Sequence, residues 1–231
     1  RQHRGGRWPS GGLRAARGSR PSSLVVRQCG KTHEYTEAGP AGSANRPGCM
    51  RESRPVTARR KRGLFVTFEG IEGSGKTTQL KLLSRRLRAL RVPLLVTRQP
   101  GGTPLGAQLR RLLLHAGAVD PRAELLLMFA DRRQHLTESI EPALAAGTTV
   151  LCDRYTDASR AYQGAGRHLG EELVDLLHSR FCGLEPDRTY LFDCPPATGL
   201  ARVAASRTGK DRIEREALAF HRRVRAAYLA R

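Results

Sequence analysis

Short apolar runs alternate with longer amphipathic segments from residue 64 to the end of the sequence. Four runs have the length and β-branched content of buried strands: LFVTFE (64–69), PLLVT (93–97), TTVLCD (148–153) and RTYLFDC (188–194). Leu80, Leu83, Leu87 and Leu90 share one face of a first predicted helix, and further helices are predicted over 105–117, 121–147, 171–181, about 197–207 and about 214–230. Because strands and helices alternate, we expect an α/β fold with a parallel sheet between two layers of helices.

Residues 1–62 differ from the rest of the chain in composition. They are rich in Arg, Gly, Ser and Pro, and they hold 15 Lys and Arg against three Glu, which is +12 of the formal charge of +20. Such a segment buries too little apolar surface to offset its ordering entropy, so we expect it to be disordered. The predicted organisation is therefore an extension over 1–62 and a folded domain over 63–231.

Three interpretations of this extension remain open. An Arg-rich, acid-poor start is typical of an organelle transit peptide, and the same charge is typical of a nucleic-acid-binding arm. The third interpretation is that the segment is not natural protein, because the chain begins with Arg and Met50 lies just before the first strand. We favour the third interpretation and assign the extension no function.

The folded domain is only moderately basic, which suits polyanionic substrates without requiring nucleic acid. The cysteines of the chain are odd in number and form no CxxC pattern, so we expect neither a disulfide framework nor a zinc site. No apolar run approaches the roughly 18 residues that a membrane span requires. These features favour a reducing, cytoplasmic setting.

A phosphate-binding loop follows the first predicted strand. Residues 70–77 read G-I-E-G-S-G-K-T, which fits the pattern G-x-x-x-x-G-K-[ST], and an amphipathic helix follows, as the pattern requires. Lys76 should then reach the β- and γ-phosphates of a nucleoside triphosphate, and the Thr77 hydroxyl should hold Mg²⁺. The loop alone does not identify the reaction, because GTPases, motor ATPases and small-molecule kinases share it. Glu72 is unexpected in a loop that binds anions.

Arginines near the same sheet edge point to a second phosphate-bearing substrate. Arg98 and Arg154 follow the second and third strands, whose carboxyl ends border the ligand crevice of a parallel sheet. Arg110 and Arg132 lie on helices, and because Arg133 adjoins Arg132 only one of that pair can point inward. Guanidinium groups bind phosphate in a bidentate fork. Each arginine taken singly is also compatible with a solvated or ion-paired charge.

Five segments, taken in order, resemble bacterial-type thymidylate kinases from about Leu64 to Arg231. They are FVTFEGIEGSGKTTQ, TRQPGGTPLG, ELLLMFADRRQHL, EPALAAGTTVLCDRYTDASRAYQGAGR and PDRTYLFDCPPATGLAR…DRIE. The resemblance implies a P-loop nucleoside monophosphate kinase fold. It also implies phosphoryl transfer from ATP to dTMP with Mg²⁺, and homodimerisation is an expectation from the same source.

The resemblance also assigns the site residues. ATP is expected on Gly70, Ile71, Glu72, Gly73, Ser74, Gly75, Lys76 and Thr77, with Arg202 and Arg207 from a basic lid that includes Lys210 and Arg212. The dTMP site is expected to consist of Glu72, Arg98, Arg110, Met128, Arg132, Arg154, Ser159, Tyr162 and Gln163. Catalysis is assigned to Lys76, Arg154, Glu72 and Arg207, and the metal to Thr77 and Asp153.

Within these sets the implied roles differ. Arg110 would bind the dTMP phosphate, and Arg132 would bind the thymine edge with help from Ser159 and Gln163. Tyr162 would pack near the sugar and reject a ribose 2′-OH. Glu72 would face the deoxyribose 3′-OH or organise water around the metal.

The chain departs from the family pattern in three places. Met128 stands where a Phe usually stacks on thymine, which bears on base affinity, and Gln99 replaces a Glu near the crevice. The last strand and closing helix of the family have no match at the C-terminus. We therefore expect an exposed sheet edge, an incomplete ATP pocket and an unstable or weakly active protein.

Three other functions are compatible with parts of the sequence. The nearest is another nucleoside monophosphate kinase or a deoxynucleoside kinase, against which the DRY…AYQG segment argues. The second is a P-loop ATPase coupled to nucleic acid, which an aromatic content of 5% does not favour. The third is a fragment that binds nucleotide without turnover.

Overall fold

The computed structural model describes residues 62–206, 209 and 211–231. Four strands form one parallel sheet in the order β2-β3-β1-β4. They are β1 (Phe65–Glu69), β2 (Leu94–Arg98), β3 (Thr149–Asp153) and β4 (Arg188–Leu191). All four predicted strands are confirmed, and so is the predicted α/β class with a parallel sheet. The prediction of disorder for the extension concerns residues 1–62, of which all but Arg62 lie outside the described part.

Helices cover both faces of this sheet. They are α1 (Lys76–Ala89), α2 (Pro104–His115), α3 (Pro121–His135), α4 (Glu141–Ala145), α5 (Thr156–Ser159), α6 (Glu171–Phe181), α7 (Pro196–Ser206) and α8 (Leu218–Ala230). On one face, Val66 and Phe68 of β1 pack with Leu80 of α1. On the other face, Phe65 packs with Leu136, which follows α3. This alternation along β1 follows from the two-residue period of a strand, which sends successive side chains to opposite faces.

The prediction of one continuous helix over 121–147 is wrong. It is divided into α3, a π-helical segment at Leu136–Ile140, and α4, which ends at Ala145. Pro142 lacks the N–H that a regular α-helix would donate one turn back, and a local widening of the helix accommodates that loss. Leu136 and Ile140 remain fully buried, so the hydrophobic face persists through the irregular segment.

A helical segment between β3 and α6 escaped prediction. It begins as α5 and continues as π-helical turns over Arg160–Gly166. Tyr162, Gln163 and Gly166 are all buried in it, and α8 packs against it. Because apolar and polar residues are buried alike, the segment has no amphipathic period that sequence analysis could detect.

Among the described helices, none combines the length and the apolar character needed to cross a lipid bilayer.

Candidate active site

Most of the predicted site residues line one cavity of about 470 Å³ at the carboxyl edge of the sheet. These residues are Glu72, Gly73, Lys76, Thr77, Arg110, Met128, Arg132, Asp153, Arg154, Ser159, Tyr162 and Gln163. Arg98 lines a neighbouring cavity, which shares Thr77, Arg110, Asp153 and Arg154 with the first. The sheet therefore brings the loop and the arginines to the same edge, as parallel strands should.

The phosphate loop connects β1 to α1 and surrounds a buried ammonium group. Gly73 and Gly75 have φ angles of 68° and 96°, a left-handed conformation that glycine adopts without a steric penalty. Lys76 Nζ donates to the carbonyl oxygens of Gly70 and Ile71, both at 2.7 Å. Burial lowers the pKa of Lys76 to about 8. A loop of this shape at a helix N-terminus is suited to a polyphosphate.

Helix α7 packs directly on this loop. A Cβ on Gly73 would overlap the backbone of Gly199 in α7, so the two segments need glycine where they cross. Arg202 follows one turn later and its Nη1 donates to the Gly73 carbonyl oxygen at 3.3 Å. Of the basic residues predicted to form a lid, Arg202 is therefore beside the loop, whereas Arg207 and Lys210 lie outside the described residues.

Arg212 occupies a different position from the one expected of a lid arginine. Its Nε donates to the Leu113 carbonyl oxygen at 2.8 Å, and its Nη2 lies 2.7 Å from a carboxylate oxygen of Glu124. In this structure Arg212 thus packs against the start of α3 and does not contact the phosphate loop.

Glu72 forms an ion pair with Arg154. Nη2 of Arg154 donates to Oε1 of Glu72 at 2.8 Å, and the Tyr162 hydroxyl donates to both carboxylate oxygens, at 2.7 and 2.8 Å. Burial would raise the pKa of Glu72, but Arg154 and Lys76 outweigh it and hold this pKa below its usual value. Glu72 is consequently a carboxylate that orients Arg154. The positive charge of Arg154 offsets the repulsion between this carboxylate and a bound phosphate.

Arg154 has a backbone conformation that is unusual for a non-glycine residue. Its φ is 71°, in the left-handed region, and its Nη1 donates to the Gly70 carbonyl oxygen at 2.9 Å and to the Tyr228 hydroxyl at 3.2 Å. Non-glycine residues in this region cost of order 1 kcal/mol or more and concentrate at functional sites. The backbone turn directs the guanidinium from the end of β3 towards the phosphate loop.

Three guanidinium groups converge beside the loop. Arg98, Arg110 and Arg154 line the neighbouring cavity together. Burial, with the charges of Arg98 and Arg154, lowers the pKa of Arg110. Cations that raise each other's energy in this way gain from a polyanionic ligand, because its phosphate groups neutralise all three.

A polar pocket around Arg132 forms another part of the first cavity. Nε of Arg132 donates to Gln99 Oε1 at 2.9 Å, and its Nη2 donates to the Tyr155 carbonyl oxygen and to Ser159 Oγ at 3.1 and 2.9 Å. Its Nη1 is buried and has no hydrogen-bond partner among the described residues. The Arg133 side chain is 41% exposed whereas Arg132 is 2% exposed, so Arg132 is the member of the pair that points inward. The free N–H groups of a buried guanidinium call for an acceptor on a ligand.

Gln163 completes this pocket from the helical segment after α5. Its Nε2 donates to Oε1 of Glu124 at 2.6 Å. The amide carbonyl is then the remaining polar group of Gln163, and it is an acceptor. Met128 lines the same cavity, while the neighbouring Phe129 packs under Arg132, with 4.6 Å between the guanidinium carbon and the ring centroid.

At the loop end, Thr77 and Asp153 form a small oxygen pair. Thr77 Oγ1 donates to Asp153 Oδ2 at 3.2 Å. Within the described residues, no three His, Cys, Asp or Glu side chains cluster as ligands for a metal ion. A hydroxyl and a single carboxylate fit Mg²⁺, which usually keeps several waters and takes further ligands from substrate phosphates.

Sequence analysis missed several buried polar residues that support these groups. Gln99 lies between Arg132 and His135, whose Nδ1 is 3.2 Å from Gln99 Nε2, and His135 Nε2 is 2.7 Å from Thr97 Oγ1. Because Arg132 can only donate, Gln99 must present its oxygen to Arg132 and its NH₂ to His135. Burial lowers the pKa of His135 to about 4, in keeping with a neutral ring that accepts at Nδ1. The only indication of these residues in the sequence is Gln99, which stands where the family usually has Glu.

Glu69 is a second missed residue, although an acid at the end of an apolar strand is a signal in itself. Its Oε1 accepts from the Tyr155 backbone N–H at 2.7 Å and its Oε2 accepts from the Tyr228 hydroxyl at 2.9 Å. Burial, with the charge of Asp157, raises the pKa of Glu69 from 4.5 to about 7, although Arg154 opposes this shift. This carboxyl group binds protons more tightly in the folded chain than in the unfolded one.

The variant Glu69→Gln tests this shift through stability. A raised pKa stabilises the fold below pH 4.5, and this contribution is lost as the pH rises towards 7. The free energy of unfolding of the unchanged protein should therefore fall relative to that of Glu69→Gln by about 3 kcal/mol between pH 4.5 and 8. Urea unfolding of both proteins at the two pH values measures this difference. A difference that is independent of pH would contradict the assignment.

Comparisons with known proteins agree on one family. A family model described as thymidylate kinase matches residues 68–231. A thymidylate kinase of Geobacter sp. (strain M21) is 52% identical over 176 residues, which are 73% of this chain and 78% of that relative. A thymidylate kinase of Pseudomonas entomophila (strain L48) is 54% identical over 174 residues, 73% of this chain and 81% of the relative. The crystal structure of thymidylate kinase from Ehrlichia chaffeensis matches with a TM-score of 0.61 and 34% identity, covering 73% of this chain and 86% of that one.

Proposed function

This chain belongs to the thymidylate kinase family, and from this premise we propose that it transfers the γ-phosphoryl group of ATP to the phosphate of dTMP. The products are ADP and dTDP, a step of dTTP biosynthesis. The observation that carries the assignment is the pairing of a phosphate loop with a separate pocket that presents a buried guanidinium N–H. Arg110 and Arg154 line the same cavity as the loop and the pocket, and Arg98 lines the neighbouring one.

The base pocket suits one hydrogen-bonding pattern. Arg132 Nη1 is a donor without a partner in the described chain, and the free group of Gln163 is an acceptor. The O4 and N3–H of thymine or uracil offer the complementary acceptor and donor, whereas N3 and the 4-amino group of cytosine offer the reverse. A site that hydrogen-bonds its substrate in this way rejects analogues with the wrong pattern strongly. Met128 supplies apolar contact in place of an aromatic ring.

The sugar and the acceptor phosphate would lie between the pocket and the loop. The Tyr162 ring packs 4.8 Å from the Arg154 guanidinium carbon and its hydroxyl binds Glu72, which closes the floor of the cavity at that point. This packing supports the exclusion of a ribose 2′-OH. Arg98 and Arg110 would bind the acceptor phosphate through charge-assisted hydrogen bonds.

Phosphoryl transfer needs positioning and charge more than covalent chemistry. Lys76 would bind the β- and γ-phosphates, and Arg154 would lie near the transferred group, where negative charge develops on the phosphoryl oxygens. Arg202 lies next to the loop and would contact ATP, and Arg207 is proposed to do so from the lid. Thr77 and Asp153 would hold Mg²⁺, which neutralises phosphate charge when bound.

The setting and assembly of the protein are further parts of the proposal. Cys152, Cys182 and Cys194 are free thiols, which supports a reducing, cytoplasmic environment. We propose a homodimer, and large apolar side chains exposed on α2, α3 and α6 support it, such as Leu112, Leu126 and Phe181. A nucleic-acid partner is not part of this proposal.

Transfer of labelled phosphate tests the function. With γ-³²P-labelled ATP, dTMP and Mg²⁺, chromatography should show labelled dTDP, and Lys76→Met should form at most about one-hundredth as much. Label recovered as inorganic phosphate, with no labelled dTDP, would contradict the proposal and support an ATPase.

A further inference from the structure

Glu124 connects three separate parts of the chain although it lies outside the reacting region. It is in the first turn of α3 and is 0% exposed. Oε1 accepts from Gln163 Nε2 at 2.6 Å. Arg212 Nη2 and Arg167 Nη2 lie 2.7 and 3.3 Å from Oε2, close enough to pair as charges but off the line of a hydrogen bond. Buried ion pairs of this kind add little net stability, so stability alone does not explain why Glu124 is present.

The chemistry of the two side chains fixes the orientation of the Gln163 amide. A carboxylate that faces two guanidinium groups has only acceptor atoms. Gln163 must therefore turn its NH₂ towards Glu124 and its carbonyl oxygen away, towards the base pocket. Without Glu124, a rotation of the amide by half a turn would exchange donor and acceptor at almost no conformational cost.

We propose that Glu124 is a positioning residue that sets pyrimidine selectivity by holding the Gln163 carbonyl oxygen towards the base. The held carbonyl accepts from N3–H of thymine, whereas a rotated amide would donate to N3 of cytosine. This inference rests on the proposed dTMP kinase function, since it concerns the same pocket.

The same carboxylate joins the base pocket to the chain that follows the lid region. The Arg212 backbone N–H donates to the Leu114 carbonyl oxygen at 3.0 Å and its Nε donates to Leu113. Arg167 reaches Glu216 as well, with 2.6 Å between Nη1 and Oε1. The two arginines thus hold Glu124 from the side away from Gln163, so that its Oε1 stays directed at the amide.

The ratio of kcat/KM for dTMP to that for dCMP tests the proposal. We expect Glu124→Gln to lower this ratio at least about tenfold, mainly by raising the KM for dTMP, because the amide of Gln163 is then free to turn. Glu138→Gln is the matched control: Glu138 also accepts from a glutamine amide, that of Gln134 at 2.9 Å, but this pair is exposed and lies outside the pocket, so the ratio should stay as in the unchanged protein. In a Gln163→Leu background, Glu124→Gln should change the ratio no further.

A folded Glu124→Gln protein with an unchanged ratio would overturn the proposal, and so would an equal fall in Glu138→Gln. A second measurement needs no variant of Glu124. In the unchanged protein, the side-chain NH₂ resonances of Gln163 should be protected from exchange and should shift little when dTMP binds. A large shift would show that the NH₂ faces the base. If the unchanged protein turned over no dTMP at all, the proposed function would fail, and this NMR result would still decide the orientation.

Discussion

Arg132→Met should raise the KM for dTMP by about 100-fold, because hydrogen bonds from a charged donor contribute roughly 1.5–3 kcal/mol each. Arg132 is 2% exposed and its Nη1 has no partner in the described chain, so its free N–H groups are available only to a ligand in the pocket. The kcat at saturating dTMP should change less, since the base is remote from the transferred phosphoryl group. Initial rates against dTMP concentration measure both constants.

Arg133→Met provides the control for this prediction. Arg133 is the next residue on α3, but its side chain is 41% exposed and pairs with Glu141 at 3.1 Å. Its replacement should leave the KM for dTMP within about twofold, because exposed ion pairs contribute about 1 kcal/mol or less and none of this reaches the pocket. Thermal melts establish that both variants are folded. Similar KM changes in the two variants would show that Arg132 does not bind the base.

Arg154→Gln should lower kcat by about 1000-fold or more, which is the range for arginines that stabilise phosphoryl transfer. The change also removes the partner of Glu72, whose carboxylate then lacks its 2.8 Å hydrogen bond from Arg154. The pKa of Glu72 should consequently rise, because burial is no longer opposed by Arg154. The remaining activity should depend more steeply on pH than that of the unchanged protein.

A paired arginine outside the site is the control for Arg154. Arg225 on α8 binds Asp193 through two hydrogen bonds of 2.7 Å. Arg225→Gln should keep kcat within about twofold, since it alters charge on the molecule without touching the cavity. A kcat for Arg154→Gln within tenfold of the unchanged protein would mean that Arg154 serves the loop structure alone.

The strands and the loop could be predicted because local patterns determine them. The four apolar runs are confirmed as strands, and the loop was defined by residues 70–77. The helix that carries Tyr162 and Gln163 could not be predicted, because it is buried on all sides and partly π-helical. The division of the 121–147 helix depends on Pro142 within a buried helix, where a simple period predicts continuity.

The supporting residues of the site could not be predicted for another reason. Their partners are far away in the chain: Glu69 and Tyr228 are 159 residues apart, and Glu124 and Gln163 are 39 apart. No short pattern records such pairs. A buried acid in an apolar context is the only local indication, and it does not identify the partner.

The site as a whole explains why an acid is present in the phosphate loop. Glu72 is held by Arg154 and Tyr162, both of which lie at the cavity that joins the loop to the base pocket. In the proposed function, the acid orients the arginine at the junction of the two substrates. This arrangement presupposes a second substrate, which an ATPase would not require.

The acceptor profile tests the central claim most directly. ADP release in a coupled assay, with ATP and Mg²⁺ held constant, is compared for dTMP, dUMP, UMP, CMP and AMP. The account predicts turnover with dTMP well above the others, with dUMP next because it offers the same base edge. UMP should be poorer than dUMP because of its 2′-OH. Equal or higher turnover with CMP or AMP would contradict the account.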